Sequence, residues 1–366
     1  MKEGMPTAQD DYDEVYGEEP QWPDEEEEEI EEEDVETAKR SGRGSKSVQK
    51  KPLTFIDLFA GIGGVRIALE RNGMDCVFTS EIDKYCQEMY GNYFKDTVHG
   101  DITKIDENSI PDHDILTGGF PCQSFSIIGK GKGFADTRGT LFFDIERILT
   151  AKRPKAILLE NVQRLSTHDN GRTMATILDK LDKLGYFTHW KVLNGLDFGV
   201  PQRRTRTIIV GFQKNYPFTF PEPVPVSKRM ALEEILEKNI DPKHFLSEKM
   251  RKKFADKVPN PPKEITIWHE NKSGNIGIHE YSCALRANAS FSYLTVNGKR
   301  RLTPREMFRL QGFPDDYPII VSDAQARKQA GNSVVIPKIQ AVGEAMVKAM
   351  NKSPIPHPKQ KQLIDA

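Results

Sequence analysis

From Pro52 onward, the chain alternates short apolar runs with amphipathic stretches of about 10 to 15 residues. Strands that are separated by single helices need crossover connections, and these connections make neighbouring strands parallel. The pattern therefore predicts an α/β fold with a doubly wound, mostly parallel sheet. The strands are predicted at residues 53–59, 76–81, 114–120, 156–162, 187–193 and 207–212.

The regular alternation ends after Phe212. Residues 216–300 are basic and contain several turns rich in proline, glycine and asparagine. Helical periodicity returns at residues 335–350, where an apolar stripe is expected to pack back on the large sheet. A smaller, irregular domain would then be inserted into the larger one. The stripe consists of Ile336, Ile339, Val342, Met346 and Met350.

Charge is distributed unevenly along the chain. Residues 1–38 contain 18 acidic residues and one basic residue, which leaves 51 Lys and Arg against 36 Asp and Glu elsewhere. A segment this acidic cannot form a hydrophobic core and is expected to be disordered. It would serve either as a solvated extension that aids solubility or as a segment that folds back over the basic face and competes with nucleic acid. The basic remainder suits contact with phosphates. The predicted regions are an acidic tail and basic linker at 1–51, the larger domain at 52–219 plus 322–351, the smaller domain at 220–321, and a C-terminal tail at 352–366.

Composition argues against several classes of protein. No stretch approaches the roughly 18 continuous apolar residues of a membrane helix, and the N-terminus lacks the apolar core of a signal peptide. The four cysteines are too few for a disulfide framework and form no CxxC pair. We therefore expect a cytoplasmic protein without a metal site or a membrane partner.

A glycine-rich turn follows the first predicted strand, in the segment DLFAGIGG at residues 57–64. Such a turn allows close approach of a ligand to the backbone, although it also serves plain packing. Glu81 and Asp101 end the next segments, where carboxylates could accept hydrogen bonds from a ribose and from an adenine amino group. Because the glycine spacing is not the full dinucleotide fingerprint, it favours a mononucleoside such as S-adenosylmethionine over NAD.

Four side chains are candidates for the chemistry. Cys122 lies in the loop GGFPCQSFS, where nearby positive groups could lower the thiol pKa, although an inert buried cysteine is the alternative. Glu160 ends an apolar strand, where burial would favour the protonated form, unless it serves as a cap or an ion-pair partner. Arg204 and Arg206 lie on one face by strand periodicity, which is either a binding face or a solvated edge.

In order along the chain, FIDLFAGIGG, SEID, GDIT, GGFPCQSFS, RGTLFFDI, ENV, PQRRTR, RLTPREMFRLQGFPD and QAGNSVV resemble the motifs of the DNA (cytosine-5) methyltransferases of bacterial restriction-modification systems. The resemblance covers residues 52–350. It implies a Rossmann-like methyltransferase fold with a target-recognition domain. It also implies S-adenosylmethionine as cofactor, S-adenosylhomocysteine as product, and a flipped-out cytosine of double-stranded DNA as substrate. A monomer that associates with the nucleoid is expected.

Individual roles follow from this resemblance. Cys122 corresponds to the nucleophile, Glu160 to the acid beside the cytosine ring, and Arg204 and Arg206 to the two arginines that grip the target base and its phosphate. Ile82 stands where many relatives have an aromatic residue over the adenine. The cofactor-binding residues are expected to be Phe59, Gly61, Gly63, Glu81, Ile82, Asp101, Ile102, Pro121, Leu141, Asn332 and Ser333.

DNA contacts are expected from the loop after the nucleophile and from residues 283–301. Ile128 would fill the space that the flipped base leaves, unless it packs inside a closed loop. Arginine and asparagine side chains make bidentate contacts to guanine and adenine, whereas the basic run near residue 300 suits phosphates. The predicted DNA-binding residues are Ser126, Ile128, Arg138, Arg286, Asn288, Ser290, Arg300 and Arg301.

Two other functions fit parts of the sequence. A cytosine methyltransferase that acts on RNA could use the same fold, although the Pro-Cys-Gln run and the long basic segment favour duplex DNA. A catalytically inactive DNA-binding module is the second alternative, and the presence of both Cys122 and Glu160 argues against it.

Overall fold

The computed structural model describes residues 51–120, 141–287, 289–290 and 292–356. Its larger sheet has six strands in the order β2-β1-β3-β4-β7-β5. Within it β7 runs antiparallel to both of its neighbours, and the other strands are parallel to one another, so the predicted α/β class with a mostly parallel sheet is confirmed. These strands are β1 (Thr54–Leu58), β2 (Asp75–Ser80), β3 (Ile115–Gly118), β4 (Ala156–Val162), β5 (Phe187–Asn194) and β7 (Thr205–Phe212).

Hydrophobic residues cover both faces of this sheet, as a doubly wound fold requires. Alternate residues of one strand point to opposite faces. In β1, Phe55 belongs to one core cluster, whereas Ile56 and Leu58 belong to the other. In β4, Leu158 and Leu159 are divided between the two clusters in the same way. The inner strands β1, β3 and β4 are therefore mostly apolar, because both of their faces are covered.

Nine α-helices occur among the described residues. They are α1 (Gly64–Glu70), α2 (Lys84–Phe94), α3 (Leu141–Lys152), α4 (Arg172–Lys183), α5 (Leu232–Ile235), α6 (Glu248–Lys257), α7 (Pro304–Leu310), α8 (Asp323–Asn332) and α9 (Ile336–Met350). No described helix is long and apolar enough to cross a membrane.

The C-terminal helix α9 packs against α1, as its apolar stripe predicts. The first four residues of the stripe are buried, and Met350 packs against the same core cluster. The two helices approach closely at Gly343, where an added Cβ would lie 2.6 Å from Leu69 Cδ2. The last described helix is therefore part of the layer that packs on the core beside β1.

A separate small sheet follows β7 and is entirely antiparallel, in the order β12-β11-β8-β9. Phe254 of α6 packs edge-on against Trp268, and both belong to a small hydrophobic cluster of their own. A short parallel pair joins β6 to β10. These strands are β6 (Gln202–Arg203), β8 (Ile267–Glu270), β9 (Ile276–His279), β10 (Ser282–Cys283), β11 (Leu294–Val296) and β12 (Arg300–Arg301).

Helix α7 lies inside the region that the sequence assigns to the smaller domain, and the segment after it contacts the larger one. The Tyr317 hydroxyl donates a hydrogen bond to the Ile62 carbonyl at 2.9 Å. Phe308, Phe313 and Tyr317 form a cluster of ring contacts within the main core. The boundaries at residues 219 and 321 stay predictions.

Candidate active site

A cavity of about 650 Å³ lies where β1, β2, β3 and β4 end. The carboxyl ends of parallel strands are the usual ligand-binding edge of a doubly wound sheet. The cavity brings together eleven of the predicted site residues, which were widely spaced in the sequence. These are Phe59, Gly61, Glu81, Ile82, Asp101, Ile102, Leu141, Glu160, Arg204, Arg206 and Asn332.

The turn after β1 holds the Glu81 carboxylate in one orientation. The Gly61 backbone N–H donates to Glu81 Oε2 at 2.7 Å, and the Asp83 N–H donates to Oε1 at 2.7 Å. Phe59 and Gly61 have φ angles of 56° and 54°. Such a left-handed conformation is uncommon for a residue with a Cβ, so the Phe59 backbone is strained beside the cavity. Each oxygen of Glu81 keeps a lone pair with which it could accept a ligand hydroxyl.

Asp101 and its neighbours form another part of the cavity wall. Hydrogen bonds from the Thr103 side chain and backbone lower the pKa of Asp101, so that its carboxylate is ionised and can accept from an amino group. Ile102 is buried, whereas Ile82 is 68% exposed. An aliphatic side chain at this exposed position gives a smaller apolar surface than an aromatic ring would.

Gly63 and Ser333 do not line the cavity, although the sequence places them in the cofactor site. Gly63 precedes α1 with a φ of 80°, and an added Cβ would clash with the Phe94 ring. Close packing against α2 therefore accounts for this glycine, which was the alternative interpretation of the turn. The Ser333 carbonyl accepts a hydrogen bond from Arg204 at 2.6 Å.

Glu160 and Arg206 form an ion pair at the floor of the cavity. Glu160 Oε1 lies 3.3 Å from Arg206 Nε, and the two side chains are 13% and 15% exposed. The antiparallel register of β4 and β7 places Arg206 opposite Val162, two residues beyond Glu160. The partial burial strengthens the electrostatic interaction of the pair relative to one on the surface. Glu160 is therefore an ion-pair partner, the alternative role that its position allows, and it also lines the cavity.

Arg204 also borders the cavity but is occupied by backbone groups. Its Nη1 donates to the Leu285 carbonyl, and its Nη2 donates to those of Gly331 and Ser333. The residue is only 2% exposed, and burial lowers the pKa of its guanidinium. These contacts join three segments of the chain, so they favour a structural role over the predicted grip on DNA.

The structure corrects the prediction that Arg300 contacts a phosphate. Its guanidinium makes two hydrogen bonds of 2.8 Å to Glu306, a carboxylate that is 0% exposed. A buried bidentate pair leaves no free fork for DNA. Arg301 donates to the Lys243 carbonyl at 3.0 Å.

Two predicted base-reading residues are exposed at the small sheet. The Arg286 guanidinium lies 4.8 Å from the centre of the Tyr293 ring, and the Arg286 N–H donates to the Tyr293 hydroxyl at 2.8 Å. Ser290 is exposed as well. Six predicted site residues lie outside the described part of the chain, and their roles stay predictions. They are Pro121, Cys122, Ser126, Ile128, Arg138 and Asn288.

Several cavity residues were not found by sequence reasoning. Asn161 Nδ2 donates to the Phe120 carbonyl at 2.8 Å and thereby ties β4 to the segment that leads to Pro121. Lys328 Nζ pairs with Asp83 Oδ2 at 2.7 Å. Asn161 belongs to the ENV motif and could have been found there, whereas nothing in the sequence indicates the pairing of Lys328. No cluster of three or more metal-ligating side chains occurs among the described residues.

Comparison with known proteins gives the family. A family model described as "C-5 cytosine-specific DNA methylase" matches residues 53–348. The chain belongs to the C-5 cytosine-specific DNA methylase family. The sequence-based resemblance and the predicted enzyme class, a DNA (cytosine-5) methyltransferase, are thus confirmed.

Curated members of this family resemble the chain over most of their length. The type II methyltransferase M.NgoBI of Neisseria gonorrhoeae is 55% identical over 78% of this chain and 90% of its own length. M.HaeII of Haemophilus aegyptius is 54% identical over 82% of this chain and 95% of its own length. M.HhaI of Haemophilus parahaemolyticus is 40% identical over 84% of this chain and 98% of its own length.

Solved structures confirm the fold of this family member. The Entamoeba histolytica methyltransferase EhMeth superposes with a TM-score of 0.65 at 19% identity and covers 83% of this chain and 100% of its own. The S. pombe Dnmt2 methyltransferase gives a TM-score of 0.65 at 19% identity and covers 82% of this chain and 100% of its own. At this identity the agreement concerns the fold alone.

Proposed function

We propose that this DNA methylase transfers a methyl group from S-adenosylmethionine to carbon 5 of a flipped-out cytosine in a short, specific sequence of double-stranded DNA. The observation that carries the proposal is the shared cavity. A carboxylate suited to a ribose, Glu81, and an ion-paired carboxyl group suited to proton transfer, Glu160, open into the same space. The type II relatives favour a role as the modification enzyme of a restriction-modification system.

The residues around the cavity fit the cofactor. Glu81 is fixed by two backbone amides and can accept from the ribose hydroxyls, and the ionised Asp101 can accept from the adenine amino group. Phe59, Ile82 and Leu141 add apolar wall, and Asn332 adds an amide. When bound, S-adenosylmethionine supplies an electrophilic methyl group. The chain's part is to orient that group toward the reacting base.

Carbon 5 of cytosine is too weak a nucleophile to take a methyl group without activation. In the proposed reaction, the Cys122 thiolate adds to carbon 6 and forms a carbon–sulfur bond. Glu160 stabilises a proton at ring nitrogen 3, so that the ring becomes an enamine with a nucleophilic carbon 5. After methylation, the carbon 5 proton passes to water, and its bonding electrons form the double bond between carbons 5 and 6. The carbon–sulfur bond breaks, the Cys122 thiolate leaves, and ring nitrogen 3 gives up its proton, which restores the aromatic ring. Arg206 would hold Glu160 in line with the ring throughout.

The reacting carbon is inaccessible inside a duplex, so the base must leave the stack at a cost of a few kcal/mol. Ile128 is proposed to enter the gap as an apolar wedge. Arg286 and Ser290 are exposed and suit contacts with base edges or phosphates, within a target-recognition domain proposed at residues 220–321. We propose that the enzyme acts as a monomer on DNA in the cytoplasm.

Bisulfite sequencing tests the activity and identifies the site together. DNA that carries many sequences is incubated with the protein and S-adenosylmethionine, and protected cytosines should cluster in one short motif. Duplex DNA with 5-fluorocytosine in that motif should then trap the protein covalently, whereas the Cys122→Ser variant should not be trapped. tRNA is assayed in parallel. Methylation of tRNA alone, or an equally active Cys122→Ser variant, would overturn the proposal.

A further inference from the structure

Lys328 and Asp83 form an ion pair that joins two distant parts of the chain in the cavity wall. Lys328 lies on α8, and Asp83 precedes α2, 245 residues earlier. Lys328 Nζ donates to Asp83 Oδ2 at 2.7 Å, and both residues line the cavity. The proposed reaction gives neither residue a role. The pair nevertheless ties two elements of the candidate cofactor site to each other.

The Asp83 carboxylate is held from two sides. Its Oδ1 accepts hydrogen bonds from the backbone N–H groups of Tyr85 and Cys86, at 3.0 and 3.3 Å, and so caps the N-terminus of α2. Its Oδ2 accepts from Lys328. The partial positive charge at the start of α2 also favours a carboxylate there. Asp83 therefore has little freedom while both sets of partners are in place.

The backbone of Asp83 in turn orients Glu81, the carboxylate proposed to bind the ribose. The Asp83 N–H donates to Glu81 Oε1 at 2.7 Å, and the Gly61 N–H donates to Glu81 Oε2 at 2.7 Å. Residues 81–83 form the connection between β2 and α2 and belong to neither element. The ion pair with Lys328 ties this connection to α8, so the position of one Glu81 donor depends on Lys328.

We propose that Lys328 is a positioning residue for the cofactor, because it holds Asp83 where the Asp83 N–H keeps Glu81 aligned with the ribose hydroxyls. The inference rests on the proposed function, in which Glu81 accepts hydrogen bonds from the ribose. Charge-assisted hydrogen bonds are the stronger ones, and hydrogen bonds weaken steeply when their angles are distorted. Lys328 therefore strengthens cofactor binding without touching the cofactor.

The exposure of the pair sets the size of the expected effect. The side chains of Lys328 and Asp83 are 43% and 25% exposed, so water screens their interaction in part. Such a pair contributes little to the stability of the fold, and removal of Lys328 should leave the protein folded. The alignment of Glu81 is the property that should change. The expected loss of cofactor affinity is modest, about three- to fivefold.

Calorimetric titration with S-adenosylhomocysteine tests this role on the full chain without DNA. The ligand is compared with an analogue that lacks both ribose hydroxyls, and the ratio of the two Kd values measures what the hydroxyls contribute to binding. In Lys328→Met this ratio should fall by about threefold, because a misaligned Glu81 binds the hydroxyls less well. The control Lys84→Met removes an exposed lysine next to Asp83 and should keep the wild-type ratio. Lys328→Arg keeps a cation and should restore most of the ratio.

A double-mutant cycle shows whether Lys328 acts through Glu81. Glu81→Gln alone should lower the ratio, and the addition of Lys328→Met should lower it no further. In turnover on duplex DNA, Lys328→Met should raise KM for S-adenosylmethionine by a larger factor than it lowers kcat. A residue that serves only the fold would change the free energy of unfolding and leave the ratio of Kd values unchanged.

A wild-type ratio in Lys328→Met would overturn the inference, whatever happens to the stability of the variant. An equal fall in Lys84→Met, or a further fall when Lys328→Met is added to Glu81→Gln, would overturn it as well. A wild-type protein that binds S-adenosylhomocysteine but methylates no DNA contradicts the proposed function instead, and the ratio still decides the role of Lys328.

Discussion

Arg206 Nε lies 3.3 Å from Glu160 Oε1, across the antiparallel strands β4 and β7. The pair is fixed by strand register rather than by a loop, so its geometry depends on the rigid centre of the sheet. Sites on strands hold reacting groups more accurately than sites on loops. The acid of the proposed reaction is therefore oriented before any substrate binds.

Replacement of Arg206 by methionine should lower the rate of methyl transfer by about 100-fold, because general acid catalysis contributes on that order and depends on alignment. The rate constant is measured in single turnovers with labelled cofactor. The matched control is Arg71→Met, an exposed arginine at the end of α1. A rate within threefold of wild type would show that Arg206 does not orient the acid.

Glu81→Gln should raise the Kd for S-adenosylmethionine by about tenfold, which corresponds to the loss of one charge-assisted hydrogen bond. Both carboxylate oxygens accept from backbone amides, and a glutamine amide would turn an N–H toward one of those donors. Calorimetric titration measures the change. Glu88→Gln, at an exposed position of α2, serves as control. If the two variants bind S-adenosylmethionine with equal affinity, Glu81 does not contact the cofactor.

Glu306→Gln should destabilise the protein by about 3 to 5 kcal/mol, the cost of breaking a buried ion pair. The carboxylate accepts two hydrogen bonds from Arg300 and one each from the Thr303 and Glu237 backbones. Urea unfolding monitored by circular dichroism gives the change. The exposed Glu344 on α9 offers the control substitution Glu344→Gln. If the free energy of unfolding falls by less than about 1 kcal/mol, the buried pair of Arg300 and Glu306 does not stabilise the fold as proposed.

Much of the larger domain could be predicted from the sequence, because its strands are apolar on both faces and its helices have a clear period. β4 was predicted at the bounds that the structure has, and the α9 stripe was predicted to pack as it does. The helices α6 and α8 were missed. The first has only Met250 and Phe254 as large apolar residues, and the second has none. Their short polar sequences resemble exposed loops when the tertiary partners are unknown.

The cavity-lining residues were found largely by motif, whereas the partners of the charged ones were not. Arg300 was predicted to bind phosphate because basic runs usually do. Its guanidinium instead pairs with Glu306, which lies six residues further along, in the capping box of α7. Arg204 is held by backbone carbonyls, which leave no trace in a sequence. Lys338 of α9 is fully buried, and a lysine between two residues of the apolar stripe gives no sign of this in the sequence.

A final prediction concerns the pH dependence of stability. Burial raises the pKa of the Asp57 carboxyl to about 7, although a hydrogen bond from the Thr117 hydroxyl at 3.1 Å opposes the shift. Between the unfolded value near 4 and this value, the folded state binds more protons than the unfolded state. The free energy of unfolding therefore falls as pH rises through this window, by up to about 4 kcal/mol from this residue.

Asp57→Asn should abolish that part of the pH dependence. Urea unfolding at pH 5 and pH 8 measures it, and the wild type should lose more stability between the two values than the variant does. Asp75→Asn, at an exposed position of β2, should behave as wild type. Because asparagine carries no charge at either pH, the variant should be the more stable protein at pH 8. Parallel curves for Asp57→Asn and wild type would mean that the Asp57 carboxyl is already ionised at pH 5.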